Sequence, residues 1–259
     1  MLNNSNILND NSKSLLILRL ILSASFLGHG LVSLGFSPSE SLHLKLITLI
    51  NFTNFDNQIL LIIHGYFDVI ISMLLLVNKK LEWIIKLIIG YLIAVSFLAV
   101  NFYLQQTESI FGVAEVFRRL PWICFGVLIL HLLKSKESYY LLRIGLAFAF
   151  LAHGLASLGF FGLRQGHIDL ALNIIPQDKA QDFVFYSGIS DTLISLLLFI
   201  GFKTKWVALI ATLWIAFIVY LSYLTAFPDA LFRTGLLIAS FYLIIEKRAH
   251  TSNLKISMK

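Results

Sequence analysis

The feature that most constrains this chain is a segment that occurs twice. RLILSASFLGHGLVSLGF, from Arg19 to Phe36, returns as RIGLAFAFLAHGLASLGF, from Arg143 to Phe160, with Arg19 answering Arg143, His29 His153, Gly30 Gly154 and Ser33 Ser157. The same charged and polar letters at the same spacing inside two otherwise apolar runs point to duplication. A second match follows: GYFDVIISMLLLVNKKLEW, from Gly65 to Trp83, pairs with GISDTLISLLLFIGFKTKW, from Gly188 to Trp206. Phe117-Arg118 likewise pairs with Phe232-Arg233. The expected architecture is therefore two copies of one unit.

Composition decides which medium that unit occupies. With 58% hydrophobic residues, 13% charged residues and a mean hydropathy of +0.83, the chain is too apolar for a water-soluble fold and reads as integral membrane. Apolar stretches long enough to cross a hydrocarbon core lie near 15–36, 58–77, 84–104, 118–133, 141–162, 183–202, 206–226 and 229–245. The expected fold class is thus an all-α integral membrane protein with eight transmembrane helices in two four-helix repeats. An even number of crossings returns the chain to its starting side, so the repeats are parallel and related by a pseudo-two-fold along the membrane normal. The expected boundaries are a tail over 1–14, repeats over 15–136 and 137–248, and a tail over 249–259. The first apolar run has no small-x-small cleavage pattern and has an internal duplicate, so it is read as a retained helix.

Of the 20 Lys and Arg residues, Lys45, Arg118, Arg119, Arg164, Lys179 and Arg233 fall on the side opposite the N-terminus, and the other fourteen fall on the N-terminal side. That bias places both termini in the cytoplasm, in a bacterial cytoplasmic membrane. The net charge of +6 is explained the same way, and no nucleic-acid partner is expected. A single cysteine, Cys124, excludes an intrachain disulfide and any C-x-x-C redox or metal site. No metal is expected, and any redox work needs a cofactor or a partner protein.

Ionisable residues at membrane depth are costly and usually face the bundle interior with a partner or a task. His29 lies roughly 10 Å below the end of its helix at 1.5 Å per residue. His64 reaches a similar depth from the next helix, with Asp68 one turn further along the same face. His29, His64 and Asp68 are thus expected to share a pocket, with Glu115, Arg118 and Arg119 at its mouth. His153, Asp191 and Arg233 repeat the layout, but Ser187 replaces His64 and Ala230 stands where Glu115 has no counterpart. Three readings of this set stand open. It is a structural network between helices, or a polar pocket for a small polar or quinone-like head group, or a haem site ligated by His29 and His153, which lacks a second matched pair of histidines. His43 and His167 in loops, and His131 and His250 near the other side, are assigned no role. Arg19 and Arg143 are read as anchors at the membrane surface or as partners for the end of a neighbouring helix. Pro121 and Pro228 are placed at helix starts, so no strong mid-helix break is expected. Trp83, Trp122, Trp206, Tyr103, Tyr139 and Tyr140 are read as interfacial belt residues.

An arginine opening the first helix, then F-L-x-H-G-L-x-x-L-G-F, then an acidic residue ahead of an LLL run and a basic turn, resembles the DoxX family of small four-helix membrane proteins. Each half is similar to one such unit, so the chain resembles a tandem, DoxD-like duplication. It departs from the family's usual letters with Asp68 and Asp191 in place of Glu, and with Ser33 and Ser157 in place of a basic residue after H-G. Family members include a membrane subunit of thiosulfate:quinone oxidoreductase and membrane partners of redox and detoxification enzymes. The resemblance implies a subunit of a quinone-linked oxidoreductase system, with quinone as the cofactor and a soluble or membrane-bound redox partner. In that reading His29 or His153 moves a proton, Asp68 or Asp191 orients it, and Arg118 or Arg233 attracts an anionic substrate. A small-solute transporter and a non-catalytic scaffold are the rivals. The first repeat carries more polar residues, so any ligand site is expected there.

Overall fold

The computed structural model describes residues 4–51, 55–77, 79–105, 111–134 and 138–246, and among them it is helical throughout, with no strand. The helices are α1 (Asn4–Leu31), α2 (Glu40–Ile50), α3 (Asn57–Val77), α4 (Leu81–Gln105), α5 (Phe111–Leu133), α6 (Tyr140–Ser157), α7 (Arg164–Ala171), α8 (Gln177–Ile200), α9 (Thr204–Thr225) and α10 (Phe227–Ile245). Eight of them, all except α2 and α7, are long and apolar enough to cross a membrane. Their outward faces carry large exposed apolar side chains, such as Ile59, Ile63, Ile70 and Met73 on α3 and Ile93 and Phe97 on α4. Such a surface is stable only against lipid.

The helix contacts obey the two-fold expected from the sequence. α1 packs on α3 as α6 packs on α8, α4 on α5 as α9 on α10, and the repeats join through α1 with α10 and α6 with α5. The four helices at this join, α1, α5, α6 and α10, have 44–61% of their spans buried, against 33–39% for α3, α4, α8 and α9. The interior of the molecule is therefore built between the repeats as much as within them.

Two devices recur in both copies. The first is close backbone approach: Gly30 on α1 meets Gly65 on α3, and Gly154 on α6 meets Gly188 on α8, so closely that a Cβ on Gly30 or Gly154 would stand 2.8 Å and 3.0 Å from the facing carbonyl oxygen. Small residues at a crossing let two helices pack in lipid, where no hydrophobic drive separates helix from lipid. The second is the stop that follows. Gly159 has φ 94° and closes α6 with Phe160 N–H bonded to Leu155 O and Gly159 N–H to Ala156 O, the paired bonds of a Schellman cap. Gly35, with φ 87°, ends the widened turn Val32–Phe36 that continues α1.

Arg19 is buried and serves the neighbouring helix rather than the surface. Its Nε donates to Leu75 O at 2.7 Å and its Nη2 to Leu76 O at 2.5 Å, satisfying two of the carbonyls that α3 leaves open at its C-terminus. Arg143 lies against Gly201, the residue that ends α8, in the corresponding place.

Several expectations need correction. α1 extends back to Asn4, so the tail over 1–14 is mostly helix. α5 begins at Phe111, not near 118, which puts Pro121 inside the helix; Pro228 stands at the start of α10 as expected. The charges that made 111–120 look like loop pair with one another along the helix, Glu115 with Arg118 and Arg119, which lowers the cost of burying them. Trp122 and Tyr139 are buried rather than interfacial, whereas Trp83 and Trp206 are exposed. The side chain of Tyr103 and residue His250 lie outside the described residues.

Candidate functional site

The site is reached by following the duplicated histidines. On α1, Nδ1–H of His29 donates to Asp68 Oδ2 on α3 at 2.6 Å. His64, one turn before Asp68, points Nε2 at the same oxygen from 3.6 Å, and its Nδ1 lies 2.7 Å from the hydroxyl of Tyr91 on α4. Asp68 is 1% exposed, and its other oxygen, Oδ1, has no hydrogen-bond partner. His29, His64 and Asp68 thus come together in one cluster, and His29 and Asp68 line one small cavity. Glu115 on α5 takes both neighbouring cations, with Oε1 2.7 Å from Arg118 Nη1 and Oε2 2.6 Å from Arg119 Nη1.

The second copy is related but altered. His153, Ser187 and Asp191 line one pocket together with Trp214, yet among the described residues no hydrogen bond joins His153 to Asp191, and Asp191 Oδ1 has no partner. Trp214 occupies the position that answers Tyr91. Arg233 is not without an acid either: Asp229, one turn earlier on α10, lies 3.6 Å away. Asp229 also accepts from Ser37 and from Ser39 Oγ, the latter at 2.8 Å, so the chain leaving α1 is tied to the second repeat.

The loop histidines given no role belong here too. His43 on α2 lies against His29 with ring centroids 4.0 Å apart and the planes tilted by 33°, and its Nδ1 lies 2.7 Å from Ser33 Oγ. His167 on α7 stacks on His153 at 5.6 Å, and its Nδ1 lies 2.6 Å from Ser157 Oγ. The serines of the duplicated signature thus hold a second matched pair of histidines, which corrects the expectation that His29 and His153 lack one. The signal was available, since His43 and His167 stand at the same offset as His29 and His153. Burial holds both rings neutral. For His167, burial and then Arg233 and Arg118 push the pKa down to about 4, and His43 is held well below the ordinary imidazole range by burial and then by His29.

These groups meet in a cavity of about 490 Å³ between the repeats. His29, His43 and Arg118 line it from the first repeat and His153, His167 and Arg233 from the second, with Val32, Trp122, Phe232 and Leu236 as apolar wall. Confinement of the pocket to the first repeat is therefore not what the structure shows. Two smaller cavities flank it, one of about 50 Å³ beside Asp68, Tyr91 and Glu115, the other of about 80 Å³ beside Asp191 and Trp214.

The DoxX-like family model matches residues 23–113, and the DoxX model matches residues 139–224. The chain belongs to the DoxX family. It carries two DoxX units in tandem, and both duplicated segments fall almost wholly inside the matched ranges. No curated protein and no solved structure matches it.

Proposed function

We propose that this DoxX protein is the membrane subunit of a quinone-linked oxidoreductase system and that the cavity between its repeats receives the quinone head group. The observation that carries the reading is that one cavity collects matched residues from both repeats. A para-quinone has two carbonyl oxygens related by a two-fold axis, and the bundle offers two imidazoles in matched positions, His29 and His153, across its own pseudo-two-fold. The aromatic and aliphatic wall suits the ring, and the imidazoles suit carbonyl oxygens that take up protons on reduction. Asp68 holds His29 by Nδ1–H, so Nε2 of the neutral ring accepts from the hydroxyl of a reduced quinol and donates to a quinone carbonyl only when the ring is protonated beside Asp68. Electrons come from a partner protein, since Cys124 stands alone and no side chain here is a redox centre. Arg118 and Arg233 at the cavity wall favour an anionic substrate or a reduced, anionic quinone.

The test is titration of the purified protein in lipid nanodiscs with a short-chain quinone, followed by quenching of tryptophan fluorescence, since Trp122 lines the cavity. Saturable quenching is expected. His29→Ala and His153→Ala should each weaken binding by about tenfold, the worth of one hydrogen bond of about 1.4 kcal/mol. Absence of saturable quenching in the unsubstituted protein removes the reading. It would then favour a small-solute transporter, for which the parallel repeats are the supporting feature.

We place the protein in a bacterial cytoplasmic membrane with both termini in the cytoplasm, on the strength of the Lys and Arg asymmetry. The cavity, which reaches Ser39 and Gln165 on the loop side, then opens outward. Reporter fusions should read cytoplasmic at Lys259 and external between Ser37 and Asn57. The reverse pair of readings would invert the orientation.

A further inference from the structure

We infer that His29, His64 and Asp68 form a binding site for one divalent transition-metal ion per chain, beside the central cavity. Their ligand atoms lie within 4.8 Å of one another. Metal–nitrogen and metal–oxygen bonds of about 2.0–2.2 Å put neighbouring ligand atoms about 3–3.5 Å apart. The 2.6 Å and 3.6 Å separations around Asp68 Oδ2 bracket that spacing. Small side-chain rotations suffice to close the set on an ion.

Three independent observations point to a cation. Asp68 is almost wholly buried and its Oδ1 has no partner, so half the carboxylate is unsatisfied. No guanidinium bonds to Asp68: Arg118 and Arg119 are both directed at Glu115, and among the described residues the only groups paired with Asp68 are imidazoles. Tyr91, finally, stands where a metal-binding histidine needs an outer partner. Its hydroxyl meets His64 Nδ1 at 2.7 Å, which orients the ring and leaves Nε2 facing Asp68.

Two imidazoles and one carboxylate suit zinc or iron(II), and the cavity of about 50 Å³ beside Asp68 has room for water in the remaining positions. A metal on His29 Nδ1 leaves Nε2 directed elsewhere, so this site neither depends on the quinone reading nor conflicts with it. The second repeat is an internal control. Ser187 replaces His64 and Trp214 replaces Tyr91, so the equivalent set has an unpartnered carboxylate oxygen, on Asp191, but one histidine in place of two.

The experiment uses the full chain, free of any histidine tag, purified in detergent, stripped with EDTA and titrated with Co²⁺ under visible spectroscopy. One equivalent with ligand-field bands is expected. His64→Ser, which copies the second repeat, and Asp68→Asn should abolish the bands, while His153→Ala should keep them. If His64→Ser fails to fold, Tyr91→Phe retains all three ligands and should weaken binding about 10- to 100-fold. No Co²⁺ bound by the unsubstituted chain overturns the inference. So does binding that survives both Asp68→Asn and whichever of His64→Ser and Tyr91→Phe folds, since that would place the ion on other histidines.

Discussion

Glu115→Ala is expected to cost about 3–5 kcal/mol of stability, the typical penalty for removing one partner of a buried ion pair. Glu115 is 4% exposed and bonded to two arginines within a span that begins at Val113. Arg119 is itself buried, and although it keeps its bond to the Glu115 carbonyl oxygen at 2.7 Å, its charge would have no counter-ion in that group. Arg118, with 33% of its side chain exposed, has more freedom to turn away, so Arg118→Ala should cost much less. A double replacement, Glu115→Leu with Arg119→Met, should recover most of the loss, because the penalty lies in the orphaned charge and not in lost attraction. Unfolding of the purified variants in mixed micelles, followed by tryptophan fluorescence, measures all of these effects. A Glu115→Ala loss below about 1 kcal/mol would mean that water reaches Arg119 and that the cluster is not buried in the way the structure shows.

Gly30→Ala is expected to cost about 1–3 kcal/mol through overpacking, whereas Gly90→Ala should be neutral or stabilising by about 0.5–1 kcal/mol. A methyl on Gly30 would meet Gly65 O at 2.8 Å and Val69 N at 3.0 Å, both backbone atoms that yield only if α1 and α3 move apart. Such movement would also lengthen the His29–Asp68 bond, since both residues flank the crossing. Gly90 on α4 has nothing within 4 Å of the same position. The comparison holds residue type and added volume constant and varies only the neighbours. Equal melting temperatures for the two variants would show that α1 and α3 part at the Gly30–Gly65 crossing without cost.

Much of the candidate site is legible in the sequence, and the reason differs from residue to residue. His29, His64 and Asp68 can be matched because depth along a membrane helix is linear in residue number and a four-residue step keeps a face. His43 and His167 draw no role from the sequence because they sit in connections, where the letters say little about direction, although their shared offset from His29 and His153 marks them. Asp229 escapes a strict alignment, which puts Ala230 opposite Glu115; a carboxylate one residue earlier reaches Arg233 as well, since both three- and four-residue steps bring side chains together on a helix.

What the sequence determined by itself was the medium, the number of crossings and the two-fold, because apolar length, charge bias and repetition are all one-dimensional. Only the tertiary structure decided that the principal cavity lies between the repeats, that Pro121 falls inside a helix and that His64 meets the Tyr91 hydroxyl. The cavity depends on how α1 meets α10 and α6 meets α5, and the His64–Tyr91 contact on how α3 faces α4. Pairings between residues far apart in the chain are chosen by packing the whole bundle at once, and no local pattern carries that choice.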